Sequence, residues 1–436
     1  MFVAISDARD GHDFVAQAFE RGAAAALVSR IPEHIPNDAP LIVVDDVLQA
    51  LQDLGRAARA RMTGQVVAVT GSVGKTSSKD MLLAILQGQG RVHASDASYN
   101  NHWGVPLTLA RMPAQTDFAV LEIGMSQPGE IAPLSHMTRP DVAMITSVAA
   151  AHMAAFDSVD AIAAEKATIF EGLGANGTAV IHADLAQSPI LCAAWSGDRL
   201  TFGTSKQADV QLTSVSVINT VTVGQARIHD LEHLFRLNCA GRHFAVNAVG
   251  CLCVVHALGA DVTLAARALS YWTPRAGRCA RETVYLDPVE TDQTLELIDD
   301  AFNANPSSMI AGLEVLAAAK VTDGVGRVRL GRRVAFLGDM LELGPNAEDA
   351  HVALASTVWL DDIDVVHCVG QSMLALHSVL PLQKRGRWFA TATQACPELR
   401  HLVDAGDVVL VKGSRGVKIS QLVDGIRNLG HPQQEL

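Results

Sequence analysis

The sequence lacks the patterns by which cysteine would indicate a disulfide framework or a metal site. Its seven cysteines include no Cys-x-x-Cys pair and no zinc spacing with histidine. The chain also lacks any run of lysine or arginine, and its formal net charge is −12. Because the phosphates of a nucleic acid are repelled by a negative field, this charge argues against a general nucleic-acid-binding protein. We expect reduced, mostly buried thiols and no nucleic-acid partner.

Apolar runs long enough for a membrane-spanning helix are also missing. The longest run covers 244–260 and includes Asn247 and His256, so a buried helix is predicted there instead. The first ten residues carry charges and contain no apolar region typical of a signal peptide. We therefore expect a cytoplasmic protein that is not inserted into a membrane.

Length and apolar residues are what the chain has in abundance. It has 436 residues, of which 49% are hydrophobic and 18% charged. A chain this long exceeds one hydrophobic core and suggests about three domains. Alternating strand and helix patterns predict an α/β protein with parallel sheets. The predicted domains are 1–62, a small α/β unit; 63–286, a central unit with a phosphate loop; and 287–436, a second doubly wound, Rossmann-like sheet.

The most informative stretch opens the central domain. Residues 66–69 are predicted to form a buried strand, Gly71 and Gly74 permit a tight loop, and a helix is predicted over 79–86. Backbone N–H groups, a lysine and a threonine hydroxyl are the groups that polyphosphate and magnesium require. The usual Walker pattern has a glycine where this chain has Val69, so only the shorter Thr-Gly-Ser-x-Gly-Lys-Thr form is present. A strand-to-helix turn without function is the alternative. The predicted ATP-binding residues here are Thr70, Gly71, Ser72, Val73, Gly74, Lys75, Thr76 and Ser77.

Three other residues could serve a phosphate site. Glu122 ends an apolar strand, where a buried carboxylate is costly unless it meets a cation such as magnesium. An exposed strand end is the alternative. His152 and Lys166 follow the next strand, but a single histidine is more often structural and a single lysine is usually solvated.

Two polar loops suggest contacts with a substrate. Asn100 and Asn101 could donate hydrogen bonds to a polar substrate, or could simply form a turn. The glycine-rich, cationic segment 412–416 follows a predicted strand and suits a phosphate or carboxylate, with surface decoration as the alternative.

Taken in order, these motifs resemble the Mur ligases over nearly the whole chain. The resemblance implies a three-domain, ATP-dependent amide ligase of bacterial peptidoglycan synthesis. The Asn-Ala-Asn-Pro and Gly-Asp-Met-x-Glu-Leu-Gly stretches are typical of the member that joins D-alanyl-D-alanine to UDP-N-acetylmuramoyl-tripeptide. No Asp-Asn-Pro-Arg signature of diaminopimelate recognition is present. The motifs that carry the resemblance lie at 70–76, 100–106, 121–124, 151–152, 166–170, 303–309, 337–344 and 411–416.

The resemblance also implies roles for particular residues. The catalytic set would be Lys75, Glu122, His152 and Lys166. Thr76 and Glu122 would hold one magnesium ion, and His152 with a carbamylated Lys166 would hold a second. Further ATP contacts would come from Asn247 at adenine, Arg278 at the nucleotide and Asp300 at the ribose. The substrate-binding set would be Asn100, Asn101, Asn303, Asn305, Lys412 and Arg415.

The chain departs from the family pattern in two places. Phe244 follows His243 where the family often has asparagine, so one adenine contact would be absent or replaced by stacking. Family members usually carry more residues before the position of Phe2, so the N-terminal UDP-substrate domain is expected to be incomplete. Another Mur-type amino-acid ligase, or a non-catalytic nucleotide-binding homologue, is the alternative function. The expected partners are small molecules only, and the expected state is a monomer.

Overall fold

The computed structural model describes residues 1–7, 9–33 and 35–431. The strands are β1 Phe2–Val3, β2 Ala26–Val28, β3 Leu41–Val43, β4 Gln65–Thr70, β5 Val92–Ala94, β6 Phe118–Glu122, β7 Val142–Ile145, β8 Thr178–His182, β9 Arg199–Gly203, β10 Val210–Ile218, β11 Val221–Ile228, β12 Leu231–Leu237, β13 Ala280–Tyr285, β14 Thr294–Asp300, β15 Arg333–Gly338, β16 Val365–Val369, β17 Arg385–Phe389 and β18 Val408–Lys412. The helices are α1 Val15–Glu20, α2 Val47–Arg61, α3 Lys75–Leu86, α4 Gly104–Ala110, α5 Ile131–Thr138, α6 Val159–Ala167, α7 Ser188–Ala193, α8 Arg242–Ala257, α9 Val262–Ala268, α10 Pro306–Ala317, α11 Ala347–Val352, α12 Met373–Val379, α13 Ala392–Ala395, α14 Leu399–Leu402 and α15 Ser420–Arg427.

The N-terminal sheet is a small parallel sheet in the order β1-β2-β3. Its own core is limited to a few buried side chains, among them Val15 and Val28. Helix α2 connects it to the rest of the molecule. Arg59 on this helix donates hydrogen bonds to the carbonyls of Thr138 (2.7 Å) and Arg139 (2.9 Å). The N-terminal sheet is thereby tied to the central part of the chain.

The central sheet has nine strands in the order β12-β11-β10-β9-β8-β7-β4-β6-β5. Strand β4 is parallel to both its neighbours, β6 and β7. Alternate β4 side chains are buried on opposite faces, with Val67 and Val69 in one hydrophobic cluster and Val66 and Ala68 in the other. Strands β5 and β6 lie on one side of β4 in the sheet, and β7 lies on the other. Because the strand order reverses at β4, the connections diverge there and leave a crevice beyond its carboxyl end.

Helix α3 begins at Lys75, four residues before the predicted start at Lys79, so the predicted boundary is wrong. The first turn, from Lys75 to Ser78, is polar, and no apolar periodicity marks it as helical. The correction matters because the N–H groups of Lys75, Thr76 and Ser77 have no partner within the helix and can face an anion. The Ser78 N–H already donates to the Gly74 carbonyl at 2.8 Å. The buried helix predicted over 244–260 is confirmed as α8, Arg242–Ala257, whose residues are mostly buried.

The C-terminal sheet has the order β13-β14-β18-β15-β16-β17 and is parallel except for β13. Strand β13 begins at Ala280, before the domain limit predicted at 287. It is an edge strand that pairs antiparallel with β14, and no helix lies between the two strands. The predicted domain limits stay a prediction. The predicted α/β fold class is confirmed. No helix in 1–7, 9–33 or 35–431 is long and apolar enough to cross a membrane.

Candidate active site

The loop 71–74 leaves β4 and ends at the first turn of α3, in the crevice beside β7. Gly71 and Gly74 have φ angles of 153° and 88°. A Cβ atom on Gly71 would lie 2.0 Å from Thr146 Oγ1, and one on Gly74 would lie 2.9 Å from Asn247 Oδ1. Glycine is therefore required at both positions by close packing. Asn247, the predicted adenine contact, lies directly against this loop.

The segment after β7 holds the loop in place. Ser147 accepts a hydrogen bond from the Ser72 N–H through its carbonyl (2.9 Å) and from the Val73 N–H through its Oγ (2.9 Å). The Thr146 hydroxyl donates to the Val73 carbonyl at 2.6 Å. These bonds constrain the loop before any ligand arrives, which lowers the entropy cost of binding a phosphate chain.

Lys75 points its ammonium back over the loop, where Nζ donates to the Gly71 carbonyl at 2.5 Å. Burial lowers the pKa of the Lys75 amine; the nearby Glu122 carboxylate opposes that shift, while Arg278 adds to it. A partly desolvated cation at the loop is suited to the outer phosphates of a nucleotide.

Thr76 and Glu122, predicted to share a magnesium ion, lie side by side. The Thr76 hydroxyl donates to Glu122 Oε2 at 2.7 Å, and Asn100 Nδ2 donates to Glu122 Oε1 at the same distance. Glu122 is only 2% exposed. An adjacent hydroxyl and carboxylate are oxygen donors of the type that magnesium prefers, so these residues fit that ion. No group of three or more His, Cys, Asp or Glu side chains forms a metal site within the described ranges.

Lys166, on α6, is buried at 2% exposure. Burial, followed by the charge of nearby Lys75, lowers the pKa of its amine well below the ordinary lysine value. A neutral amine is the form that reacts with carbon dioxide, so the position is compatible with the predicted carbamate. Burial lowers the pKa of the His152 ring, the Glu342 carboxylate opposes that shift, and the charges of Lys75 and Lys166 add to it. His152 therefore lies near both lysines.

An aromatic side chain that the sequence analysis did not single out lies between two arginines. Phe302 has the Arg278 guanidinium 4.1 Å from its ring centroid, and that of Arg415 at 6.0 Å. Arg278 also donates to Ser98 Oγ at 3.0 Å, and that hydroxyl lies 3.2 Å from Thr76 Oγ1. The arginine therefore links the C-terminal sheet to the phosphate loop. No sequence pattern indicated Phe302 or Ser98, because the residues that each of them contacts lie elsewhere in the chain.

Several predicted substrate residues are already occupied by structural contacts. Asn305 caps α10 by accepting from the Ser308 N–H at 2.9 Å, and Asn101 accepts from the Gly104 N–H at 2.9 Å. The capping box at Asn305 was readable as Asn-Pro-x-Ser before an apolar run. The Asn303 side chain accepts from the next N–H of its own loop, at Ala304.

Asp300 and Lys412 form a buried ion pair at the carboxyl ends of β14 and β18. Lys412 Nζ donates to Asp300 Oδ2 at 2.7 Å and to the Asn303 carbonyl at 3.2 Å. Burial raises the pKa of Asp300, and Lys412 opposes that shift. The predicted ribose contact and one predicted substrate contact are thus paired with each other.

We expect Asp300→Asn to lower the free energy of unfolding by about 3–5 kcal/mol, because it leaves the buried Lys412 ammonium without its carboxylate. Chemical denaturation measures this. The matched control is Asp53→Asn, which breaks the exposed Asp53–Arg56 pair of α2, where a small change is expected. Equally small changes in both variants would contradict the assignment of a strongly coupled buried pair.

Comparison with known proteins agrees with this fold. The family model described as Mur ligase middle domain matches residues 69–255, and that described as Mur ligase, glutamate ligase domain, matches 286–415. Together the two matches cover the phosphate loop, the predicted magnesium residues and the Asp300–Lys412 pair. The chain belongs to the Mur ligase family.

Within that family the chain is similar to one particular ligase. The UDP-N-acetylmuramoyl-tripeptide–D-alanyl-D-alanine ligase of Bacillus subtilis (strain 168) is 35% identical over 427 residues, which are 97% of this chain and 89% of that protein. The structure of MurF from Acinetobacter baumannii matches with a TM-score of 0.80 and 26% identity over 98% of this chain and 90% of that one. MurF ligase from Thermotoga maritima in complex with ADP matches with a TM-score of 0.78 and 25% identity, over 98% and 94%. The predicted resemblance is confirmed.

Proposed function

We propose that this chain uses ATP to join D-alanyl-D-alanine to UDP-N-acetylmuramoyl-tripeptide in the synthesis of peptidoglycan precursors. The observation that carries the proposal is the Thr76–Glu122 pair at 2.7 Å beside a preorganised phosphate loop, in a chain similar over 97% of its length to a ligase of this name. ATP is the phosphate donor that such a loop accepts.

The chemistry requires little covalent participation by the protein. A carboxylate is a poor electrophile, so ATP phosphorylates the terminal carboxylate of the tripeptide to an acyl phosphate. The amine of the dipeptide then attacks the acyl carbon, and phosphate leaves as the amide bond forms. The residues act by positioning and by neutralising charge: the N–H groups at the start of α3 hold the phosphates, and Lys75 is directed to the outer ones.

Magnesium would be held by Thr76 and Glu122, and a second ion by His152 and carbamylated Lys166. When bound, magnesium supplies neutralisation of the phosphate charge. Carbamylation would turn the buried Lys166 amine into an anionic oxygen donor, which would account for a lysine at this buried position beside Lys75.

The carboxyl edge of the C-terminal sheet would complete the site. Arg278 and Arg415 flank Phe302 and offer guanidinium groups to anionic parts of the nucleotide or substrate. Asn100, Asn101, Asn303, Asn305 and Lys412 remain proposed substrate contacts. A cytoplasmic location, a monomeric state and the absence of nucleic-acid or membrane partners are part of the same proposal.

The direct test is phosphate release from ATP by the purified 436-residue chain with both substrates present and with each omitted in turn. We expect release that requires both UDP-N-acetylmuramoyl-tripeptide and D-alanyl-D-alanine. Release with another amino acid in place of the dipeptide would instead identify a different Mur-type ligase. Nucleotide binding without any release would identify a non-catalytic homologue.

A further inference from the structure

The central and C-terminal sheets meet at a side-chain contact that the proposed chemistry does not yet use. His152 lies in the segment after β7, and its Nδ1 is 2.5 Å from Glu342 Oε2 in the segment after β15. The two residues are 190 positions apart in the chain. Their backbones also come close, because a Cβ atom on Gly344 would lie 3.4 Å from the Met153 carbonyl oxygen. The contact therefore joins two loops, each from a different sheet.

The residues that precede Glu342 are hydrogen-bonded to neighbouring segments of the C-terminal domain. The Met340 N–H donates to His351 Nε2 at 2.9 Å, and the Leu341 N–H donates to Ser414 Oγ at 3.0 Å. The Ser414 N–H donates in turn to the Asp339 carbonyl at 3.0 Å. The backbone that leads into Glu342 is thus attached to segments that follow strands of the C-terminal sheet.

Both partners adopt a backbone conformation that is uncommon outside glycine. His152 has φ 58° and Glu342 has φ 63°, in the left-handed region. A non-glycine residue held there is a mark of functional constraint when the surrounding contacts determine it. Here both residues of the contact between the two sheets share this conformation.

We propose that Glu342 is a positioning residue that orients the His152 ring from the C-terminal sheet. A carboxylate at Nδ1 accepts that N–H and leaves Nε2 with its lone pair, which is the arrangement by which outer carboxylates orient metal-binding histidines. The ring is then correctly set only when the C-terminal sheet lies against the central one. The contact therefore makes the orientation of His152, a proposed residue of the phosphate site, depend on how the two sheets are arranged. This inference rests on the proposed function.

The first experiment needs neither substrate nor metal. Protein labelled with ¹⁵N-histidine is compared by NMR as wild type, Glu342→Ala and Glu342→Gln, with His152→Gln identifying the His152 signals. We expect Nδ1 of His152 to carry the proton in the wild type and Glu342→Ala to shift the ring toward the other tautomer. Glu342→Gln keeps an oxygen acceptor and should retain most of the wild-type pattern. The control is Glu348→Gln, which alters an exposed acid of the following helix, α11.

The second experiment is kinetic. We expect Glu342→Ala to lower kcat about 10–100-fold and to raise the magnesium concentration needed for half-maximal rate, with the KM for ATP unchanged. Glu342→Gln should recover most of the rate, and adding Glu342→Ala to His152→Gln should cause no further loss. An unchanged His152 tautomer in Glu342→Ala, or fully additive losses in the double variant, would overturn the proposal. Lack of ligase activity in the wild type refutes the proposed function instead, and the tautomer result still decides the contact.

Discussion

We expect Lys75→Met to reduce substrate-dependent phosphate release by about 10²–10³-fold. This is the usual loss when one charge-stabilising group is removed from a phosphoryl-transfer site. The reason is local. Lys75 is the cation that lies over the phosphate loop, with its Nζ 2.5 Å from the Gly71 carbonyl, whereas Arg278 contacts Ser98. Steady-state phosphate release with both substrates present measures the effect.

The control for this variant is Lys206→Met, an exposed lysine in the turn between β9 and β10. It removes the same charge from an exposed turn that follows β9, a strand three positions away from β4 in the central sheet, and the rate should stay at the wild-type value. The melting temperature of Lys75→Met should be no lower than that of the wild type. Burial lowers the pKa of this amine, so its charged form is costly in the folded protein. If Lys75→Met retained the wild-type rate, the loop would not be the site of phosphate transfer.

Lys166→Met is expected to lose activity by about 10²-fold or more while gaining stability. The loss follows because a methionine cannot form a carbamate. Activity of the wild type should fall when carbon dioxide is removed from the buffer and return when bicarbonate is added, whereas the variant should respond to neither. Intact-mass analysis of gently handled wild-type protein should show an adduct with the mass of one carbon dioxide, absent from Lys166→Met.

The gain in stability depends on pH in a defined direction. Burial lowers the pKa of Lys166 in the folded state, so below the ordinary lysine pKa of 10.5 the unfolded chain binds a proton that the folded chain does not. In carbon-dioxide-free buffer the wild type therefore loses stability as the pH falls from that value toward the lowered pKa. Lys166→Met lacks this loss, so its advantage in melting temperature should be present at neutral pH and disappear above the ordinary lysine pKa. An advantage that persists at high pH would contradict this account.

The phosphate loop was predictable because its determinants are adjacent in the chain. Gly71, Gly74, Lys75 and Thr76 follow a buried strand, and each is required by local backbone geometry or by phosphate chemistry. The parallel sheet then places Glu122 nearby, because neighbouring parallel strands end at the same edge. The predicted start of α3 was wrong because the first turn of this helix is polar and carries no apolar periodicity.

Local patterns in the sequence alone thus determined the α/β class, the phosphate loop, the buried helix α8 and membership of the Mur ligases. Tertiary structure alone decided which partner each side chain takes. It paired Asp300 with Lys412, placed Phe302 between Arg278 and Arg415, and brought Glu342 to His152. The physical reason is that strand and helix patterns record only which face of an element is buried. Pairs separated by a hundred residues or more depend on strand order and on how the sheets pack, which no local pattern encodes.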